Sequence, residues 1–247
     1  MIRRCWFDMK FAGLIKQSLV DYPNRIAAVL FTYGCNLRCP FCHNGHLLIK
    51  PSPQTSKNIL IDEEEILAFI EEREGFLDAL VISGGEPLLE RELFYFIEKA
   101  RKYNILLKID TNGTNPEMLK TLLDAGFLDY VAMDIKAPLD YKKYAKACGG
   151  LSSELFMNIK SSIKLLLEAD ICVEFRTTVV PALHSNEDIL EIARTIKGAE
   201  RYTLQQFNPE NALNVKYRNL EPYSAEHLRK AADQCRLYVD SVEVVNI

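Results

Sequence analysis

Short apolar runs alternate with helical stripes along most of this chain. The run 26–31 is almost unbroken in its apolar character, as expected of a strand buried on both faces. A polar connection over 50–58 follows, carrying Pro51, Ser52, Pro53, Ser56 and Asn58. Asp62 and Glu65 then predict a helix cap ahead of a stripe of Ile66, Leu67 and Ile70. The run 79–82 predicts a strand, and Leu93, Phe94, Ile97 and Ala100 the next helix. A strand over 105–109 leads to a helix that starts at Asn115-Pro116, carries Leu119, Leu122 and Leu123, and stops at Gly126. Strands over 130–133, 173–180 and 202–206 are separated by a helix through Phe156, Ile159, Ile163 and Leu167 and another from Ser185 to Gly198. Ser224 opens a last helix, and 242–245 predicts a short final strand. Before residue 25 the pattern is weaker: Ile15, Leu19 and Val20 suggest extended pieces, and 21–24 a turn.

Strand–helix alternation predicts an α/β fold of right-handed βαβ units with parallel strands. Six units fit, with a seventh short strand, so the expected architecture is a partial (β/α)6 TIM-like barrel; an open doubly wound sheet is the alternative. No linker or repeat divides the chain. The expectation is a single domain over 1–247, with a core at about 25–210, an N-terminal extension over 1–24, and a C-terminal helix and strand over 211–247.

Composition narrows the function. The chain has 247 residues and is 48% apolar, enough for a substantial core. No apolar run approaches the ~18–20 residues of a membrane span. The start of the chain is basic but lacks the apolar segment of a signal peptide. A net charge of -4 without a basic block argues against a nucleic-acid partner. The seven cysteines are an odd number, and with no sign of secretion they predict reduced thiols in the cytoplasm.

The unusual polar groups fall where strands end. Cys35, Cys39 and Cys42 follow the first strand at spacing C-x3-C-x2-C. Three thiolates on a short loop can share one metal centre, one ligand short of a closed structural site. Glu86 follows the second strand after Gly84 and Gly85, in a loop whose glycines permit close approach to a ligand. Asp110-Thr111-Asn112-Gly113 closes the third strand, and Asp134 and Lys136 the fourth. Arg176 lies within the fifth strand on the face shared by Glu174, and Gln206 and Asn208 end the sixth. In parallel folds such strand ends build the active site. Plainer readings stay open: a zinc site completed by His43 or His46, a simple turn at Gly84-Gly85, a rim salt bridge between Asp134 and Lys136, and a solvated face at Glu174 and Arg176. Cys5, Cys148, Cys172 and Cys235 read as ordinary buried or half-buried thiols, and His184 and His227 as structural or surface residues.

With these motifs the sequence resembles the radical S-adenosylmethionine (SAM) enzymes. The C-x3-C-x2-C spacing, with Phe41 before the third cysteine, and the Gly-Gly-Glu-Pro loop are the signatures of that superfamily. Within it the chain most resembles the glycyl-radical-enzyme activases, through 21–23, 34–39, 42–44, 110–113 and 134–136. The opening stretch 13–23 leans toward the type that serves anaerobic ribonucleotide reductase.

The resemblance implies a [4Fe–4S] cluster on Cys35, Cys39 and Cys42 with SAM on its open iron. It implies SAM contacts from Phe41, Asn44, Gly84, Gly85, Glu86, Asp134, Lys136, Arg176 and Asn208. It also implies a monovalent cation near Asp110, Thr111 and Asp134. The implied reaction is reductive cleavage of SAM to a 5′-deoxyadenosyl radical, which takes a glycine Cα hydrogen from a partner glycyl radical enzyme. Flavodoxin or ferredoxin would supply the electron. No catalytic side chain beyond cluster and SAM is implied. Two departures stand out: Asn24 replaces the activases' usual glycine, and Asn208 stands nearest a position where they have histidine. Rival readings are a radical SAM enzyme acting on a small molecule, such as a deazapurine synthase, one modifying another protein, and a non-catalytic zinc or iron–sulfur module.

Overall fold

The computed structural model describes residues 8–49, 51 and 60–247. Cys5 and, apart from Pro51, the polar connection 50–58 lie outside the described residues. The chain forms two compact units. One gathers residues from Met1–Cys35, Leu47–Asp110 and Met118–Asp129, the other those of Asn36–His46, Thr111–Glu117 and Tyr130–Ile247.

The first unit is built on strands β2 (Gly13–Ser18), β3 (Ala27–Thr32), β5 (Ala79–Gly84) and β6 (Leu106–Thr111), in that order. β3, β5 and β6 are parallel, whereas β2 runs antiparallel to β3. The apolar run predicted at 26–31 is β3, and its residues 27–30 are buried, as are Ala79 through Ile82 beside them. Helices α1 (Glu63–Glu72), α2 (Leu93–Ala100) and α3 (Pro116–Asp124) bury most of the predicted stripes, with Leu67, Phe94 and Leu123 only half-buried. Pro116 opens α3, and Gly126, at φ +65°, ends it as predicted. Asn24 sits at φ +58°, so asparagine supports this turn without a glycine.

Asp62 does precede α1, but its side chain does not cap the helix. It pairs with Lys10 at 2.5 Å instead, because β1 (Lys10–Phe11) and β4 (Ile61–Asp62) form a two-residue antiparallel ladder. Buried Glu63 is fully engaged: it accepts from the Met9 backbone at 3.0 Å and pairs with Lys99.

In the second unit β7 (Tyr130–Asp134), β8 (Cys172–Val179), β9 (Arg201–Gln206) and β10 (Ser241–Val245) are hydrogen-bonded in order. Each of these neighbours pairs parallel with the next. Helices α5 (Ser153–Leu167), α6 (Asn186–Thr195) and α7 (Ala225–Cys235) are capped by Ser152, Ser185 and Ser224, each accepting a backbone N–H of the first turn. Sequence pattern did not reveal α4 (Tyr141–Ala147), a seven-residue helix capped by Asp140. Along β8, Val173, Phe175, Thr177 and Val179 are buried, while Glu174, Arg176 and Thr178 are half-buried. That second face is not merely solvated. Glu174 accepts from Tyr130 and Thr203, Arg176 pairs with Asp134, and Thr178 bonds Gln205.

The α/β class with mostly parallel strands is therefore the fold the sequence predicted. Among the described residues, no helix is long and apolar enough to cross a membrane.

Candidate active site

β3 delivers the chain to Gly34, whose φ of +86° turns it into the cysteine loop. The boundary between the two units falls within this loop, between Cys35 and Asn36.

On the first unit, Gly34 is fixed from both sides. Its N–H donates to Leu47 O at 2.7 Å, and its carbonyl accepts from Glu86 N at 2.8 Å. Gly85 N donates to Thr32 O at 2.9 Å. A Cβ on Gly85 would lie 2.0 Å from the Gly34 carbonyl oxygen, and one on Gly84, itself at φ +113°, 2.4 Å from Thr32 N. The close approach that the sequence reading assigned to a ligand is therefore made by the chain's own backbone. Glu86 is buried, and its Oε1 accepts from Leu88 N at 3.2 Å at the head of a turn that starts with Pro87. Asp110 accepts from the Ser83 hydroxyl at 3.1 Å and stands 3.7 Å from the Lys108 ammonium.

On the second unit, Cys39 and Phe41 are buried and Cys42 is half-buried. Cys42 N donates to Cys39 O at 3.0 Å, which folds the C-x2-C segment into a turn. Lys136 approaches the ring of Phe41, its ammonium 6.0 Å from the centroid. The same ammonium pairs with Asp134 at 2.9 Å, and Arg176 Nε donates to the other oxygen of that carboxylate at 2.9 Å. Phe41, Asp134, Lys136 and Arg176 are thus brought together. Asn44 contributes its backbone N–H to the Cys42 sulfur. Asn208 joins through its carbonyl, 3.0 Å from His43 Nε2, while its side chain turns back onto Glu210 N. Thr111 is buried, and its hydroxyl accepts from Gly113 N at 3.0 Å.

The electrostatics follow from these partners. Burial alone would raise the Asp134 carboxyl, but Arg176 and Lys136 outweigh it and bring the pKa down to about 2. Burial works against the charged form of Lys136, and Asp134 reverses that, holding it above the ordinary lysine range. The Cys148 side chain, hydrogen-bonded to Cys39, is the largest influence on that thiol; with Lys136 it brings the pKa down to about 7 against burial. Burial pushes Cys42 up.

Two features were not read from the sequence. Cys148 is buried, as expected of an ordinary thiol, yet it lies against Cys39. His184 is also buried: its Nδ1 accepts from Val180 N at 2.9 Å, so Nε2 carries the proton donated to Lys136 O at 2.9 Å. Tyr144 OH accepts from Lys136 N at 3.2 Å. The backbone of Lys136 is therefore fixed at both polar atoms. A lone cysteine and a lone histidine have no spacing that would flag them. Cys172 is exposed, contrary to the buried or half-buried reading, because it starts β8 outside the covered face; Cys235 is buried, which pushes it up to about 12.

The donor set suits an iron–sulfur centre, with thiols for ligation and a charged pair beside them for a polar cofactor. Among the described residues no three cysteine, histidine or carboxylate side chains already stand in a metal-holding arrangement. A groove of about 560 Å³ between α7 and β10, lined by Arg229, Arg236 and Glu243 among others, contains none of these residues.

Comparisons with known proteins agree with this chemistry. Residues 29–200 match the family described as the Radical SAM superfamily. A Methanocaldococcus jannaschii protein named for glycyl-radical enzyme activation is 35% identical over 96% of this chain and 95% of its own length. The pyruvate formate-lyase-activating enzyme of Staphylococcus epidermidis is 28% identical, over 87% of each chain. Among solved structures, Streptococcus suis SuiB bound to precursor peptide SuiA aligns with a TM-score of 0.68 at 13% identity, covering 88% of this chain and 48% of that one.

Proposed function

This chain belongs to the radical SAM superfamily, and we propose that it is a glycyl-radical-enzyme activating enzyme. Membership implies SAM and a [4Fe–4S] cluster, and displaces the reading of the cysteines as a non-catalytic zinc module. When bound, the two cofactors supply reductive cleavage of SAM and hydrogen-atom abstraction.

The observation that carries the assignment of roles is the placing of Cys39, Phe41 and Lys136 side by side, with Asp134 and Arg176 behind the lysine. In this proposal Cys35, Cys39 and Cys42 ligate the cluster and leave one iron open. Lys136 and Asp134 hold the charged methionine end of SAM, with Arg176 fixing the carboxylate. Phe41 and the Asn44 backbone border the nucleoside, and the Asn208 carbonyl orders His43 beside them. Glu86, Gly84 and Gly85 shape the entrance by holding Gly34. No acid–base pair is needed; these residues bind, orient and exclude water. The monovalent cation suggested by Asp110, Thr111 and Asp134 stays part of the proposal; Lys108 stands 3.7 Å from Asp110, and Lys136 and Arg176 each pair with Asp134 at 2.9 Å.

Support for the activase assignment comes from the Methanocaldococcus relative, which matches nearly end to end. The proposed substrate is a glycyl radical enzyme of the anaerobic ribonucleotide reductase type, with flavodoxin or ferredoxin as electron donor. The test is anaerobic reconstitution with iron and sulfide, reduction by dithionite, and addition of SAM and the reductase. The expected products are 5′-deoxyadenosine and a glycyl EPR doublet on the partner. Absence of 5′-deoxyadenosine from protein that holds four irons defeats the whole reading. Cleavage of SAM without a doublet on any glycyl radical enzyme defeats the activase assignment alone and points to a small-molecule or other protein substrate.

A further inference from the structure

The segment after Cys35 is held by a closed ring of side-chain hydrogen bonds within the second unit. Asn36 Nδ2 donates to Thr114 Oγ1 at 2.8 Å. The Thr114 hydroxyl has one proton to give, and Asn112 Oδ1 at 2.7 Å is nearer than Asn36 Oδ1 at 3.2 Å. Asn112 Nδ2 completes the circuit by donating to Asn36 Oδ1 at 3.2 Å. Around the ring each of the three side chains both donates and accepts, an arrangement in which the bonds reinforce one another.

The ring is anchored away from the cysteines. Asn112 and Thr114 are buried, and Thr114 N also donates to Asn112 Oδ1 at 3.0 Å. Gly113 between them adopts φ +75°, and its carbonyl accepts from Ser162 of α5 at 2.8 Å. Asn158 of the same helix donates to Thr114 O at 3.1 Å. A helix thus fixes a turn, the turn fixes Asn36, and Asn36 fixes the start of the interval between the first two cysteines. Two further contacts hold the rest of the loop: Arg38 N donates to Cys148 O at 2.9 Å, and Asn214 N to Pro40 O at 2.9 Å.

We propose that Asn36 is a positioning residue for the iron–sulfur cluster: the Asn36–Thr114–Asn112 ring fixes the backbone at the start of the first ligand interval before iron arrives. This rests on the reading of Cys35, Cys39 and Cys42 as cluster ligands. Asn36 ligates nothing. It removes the need to order the loop at the moment of binding, and it resists the loop opening through which iron would escape. The motif 110–113, whose Asp110 and Thr111 the resemblance tied to a cation, gains a second task through Asn112.

The test is the rate at which reconstituted protein loses iron to a ferrous chelator, measured anaerobically and without SAM. Asn36→Ala and Thr114→Val are expected to release iron about tenfold faster than wild type, as outer-shell losses do. Thr114→Ser keeps the hydroxyl and is expected to match wild type. Circular dichroism and the thermal midpoint report that each variant is folded. If Asn36→Ala does not fold, Thr114→Val, which removes one hydroxyl at constant shape, decides alone. Folded variants that release iron at the wild-type rate overturn the proposal. Wild-type protein that takes up no four-iron cluster overturns the underlying reading instead, and is recognised because there is no iron release to time.

Discussion

Arg176 and Asp134 are register partners on neighbouring parallel strands, and Arg176 Nε donates to Asp134 Oδ1 at 2.9 Å. The arginine lies within β8, so its guanidinium is placed by a strand, not by a loop. Lys136 takes the other carboxylate oxygen at 2.9 Å. Asp134 is therefore shared between a rigidly placed cation and a cation that lies beside Phe41. The arrangement divides the labour: Arg176 keeps the carboxylate ionised and aimed, leaving the lysine near the cysteine loop.

Replacing Arg176 with Gln tests that division. Lys136 still pairs with Asp134, so the carboxylate is not orphaned and the loss of stability stays at about 1–2 kcal/mol, below that of a fully broken buried pair. Affinity for SAM is expected to fall about tenfold, measured by equilibrium binding to the reconstituted protein, while iron content stays at the wild-type level. Arg176→Lys is not expected to restore binding, because an ammonium cannot reproduce the donor geometry of Nε. Unchanged SAM affinity in folded Arg176→Gln would remove this residue from the site.

The same pair sets an acid limit. Asp134 titrates at about 2 in the fold against an ordinary 3.8, so its folded form is the weaker proton binder. The stabilisation is present above pH 4 and is lost as pH falls from about 4 toward 2. A tenfold weakening of proton binding corresponds to ~1.4 kcal/mol. The contribution is therefore about 2 kcal/mol at most, since the side chain is 28% exposed and partly screened. Urea midpoints at pH 5 and pH 3 should converge between wild type and Asp134→Asn as pH falls. A gap that stays constant over that range would show that the charge on Asp134 adds no stability.

Sequence pattern made the strands and most helices legible because apolar periodicity and capping residues are local. β3 and β5 begin as unbroken apolar runs, and Ser185 and Ser224 announce their helices. Asp134, Lys136 and Arg176 could be singled out in sequence because they fall on neighbouring parallel strands or at their ends. What escaped was set by contacts distant in sequence. Asp62 looked like a cap until Lys10, 52 residues away, claimed it. Gly85 looked like a ligand cradle, but the atom it must avoid belongs to Gly34. α4 is too short and lysine-rich to show a stripe. Cys148 has no neighbouring cysteine in sequence, and only the fold sets it against Cys39.

Gly85 and Gly126 separate steric from conformational cost. Gly85→Ala places a Cβ against the Gly34 backbone, which cannot yield without moving the cysteine loop. It is expected to lose on the order of 2–4 kcal/mol of stability. Gly126→Ala meets nothing within 4 Å but must hold φ +65°, for which about 1–2 kcal/mol is expected. Only the first is expected to lower iron uptake on reconstitution. Denaturant melts and iron counts on both variants check this; equal iron uptake by the two would show that the Gly85–Gly34 contact does not set the loop.

Cys39 and Cys148 lie together, yet the proposed chemistry uses only one of them. Cys39→Ala removes a ligand, so four-iron content and SAM cleavage are both expected to be lost. Cys148→Ala removes a neighbour, so four irons and 5′-deoxyadenosine formation are expected to remain. Its small buried cavity is expected to cost about 1 kcal/mol. The Cys39 thiol, no longer hydrogen-bonded to Cys148, is then free to turn toward Cys42, so iron uptake should be no slower than in wild type. Iron and sulfide analysis of the two variants after anaerobic reconstitution separates the roles. Loss of the cluster in folded Cys148→Ala would make Cys148 a fourth ligand, close the open iron, and require SAM to bind elsewhere.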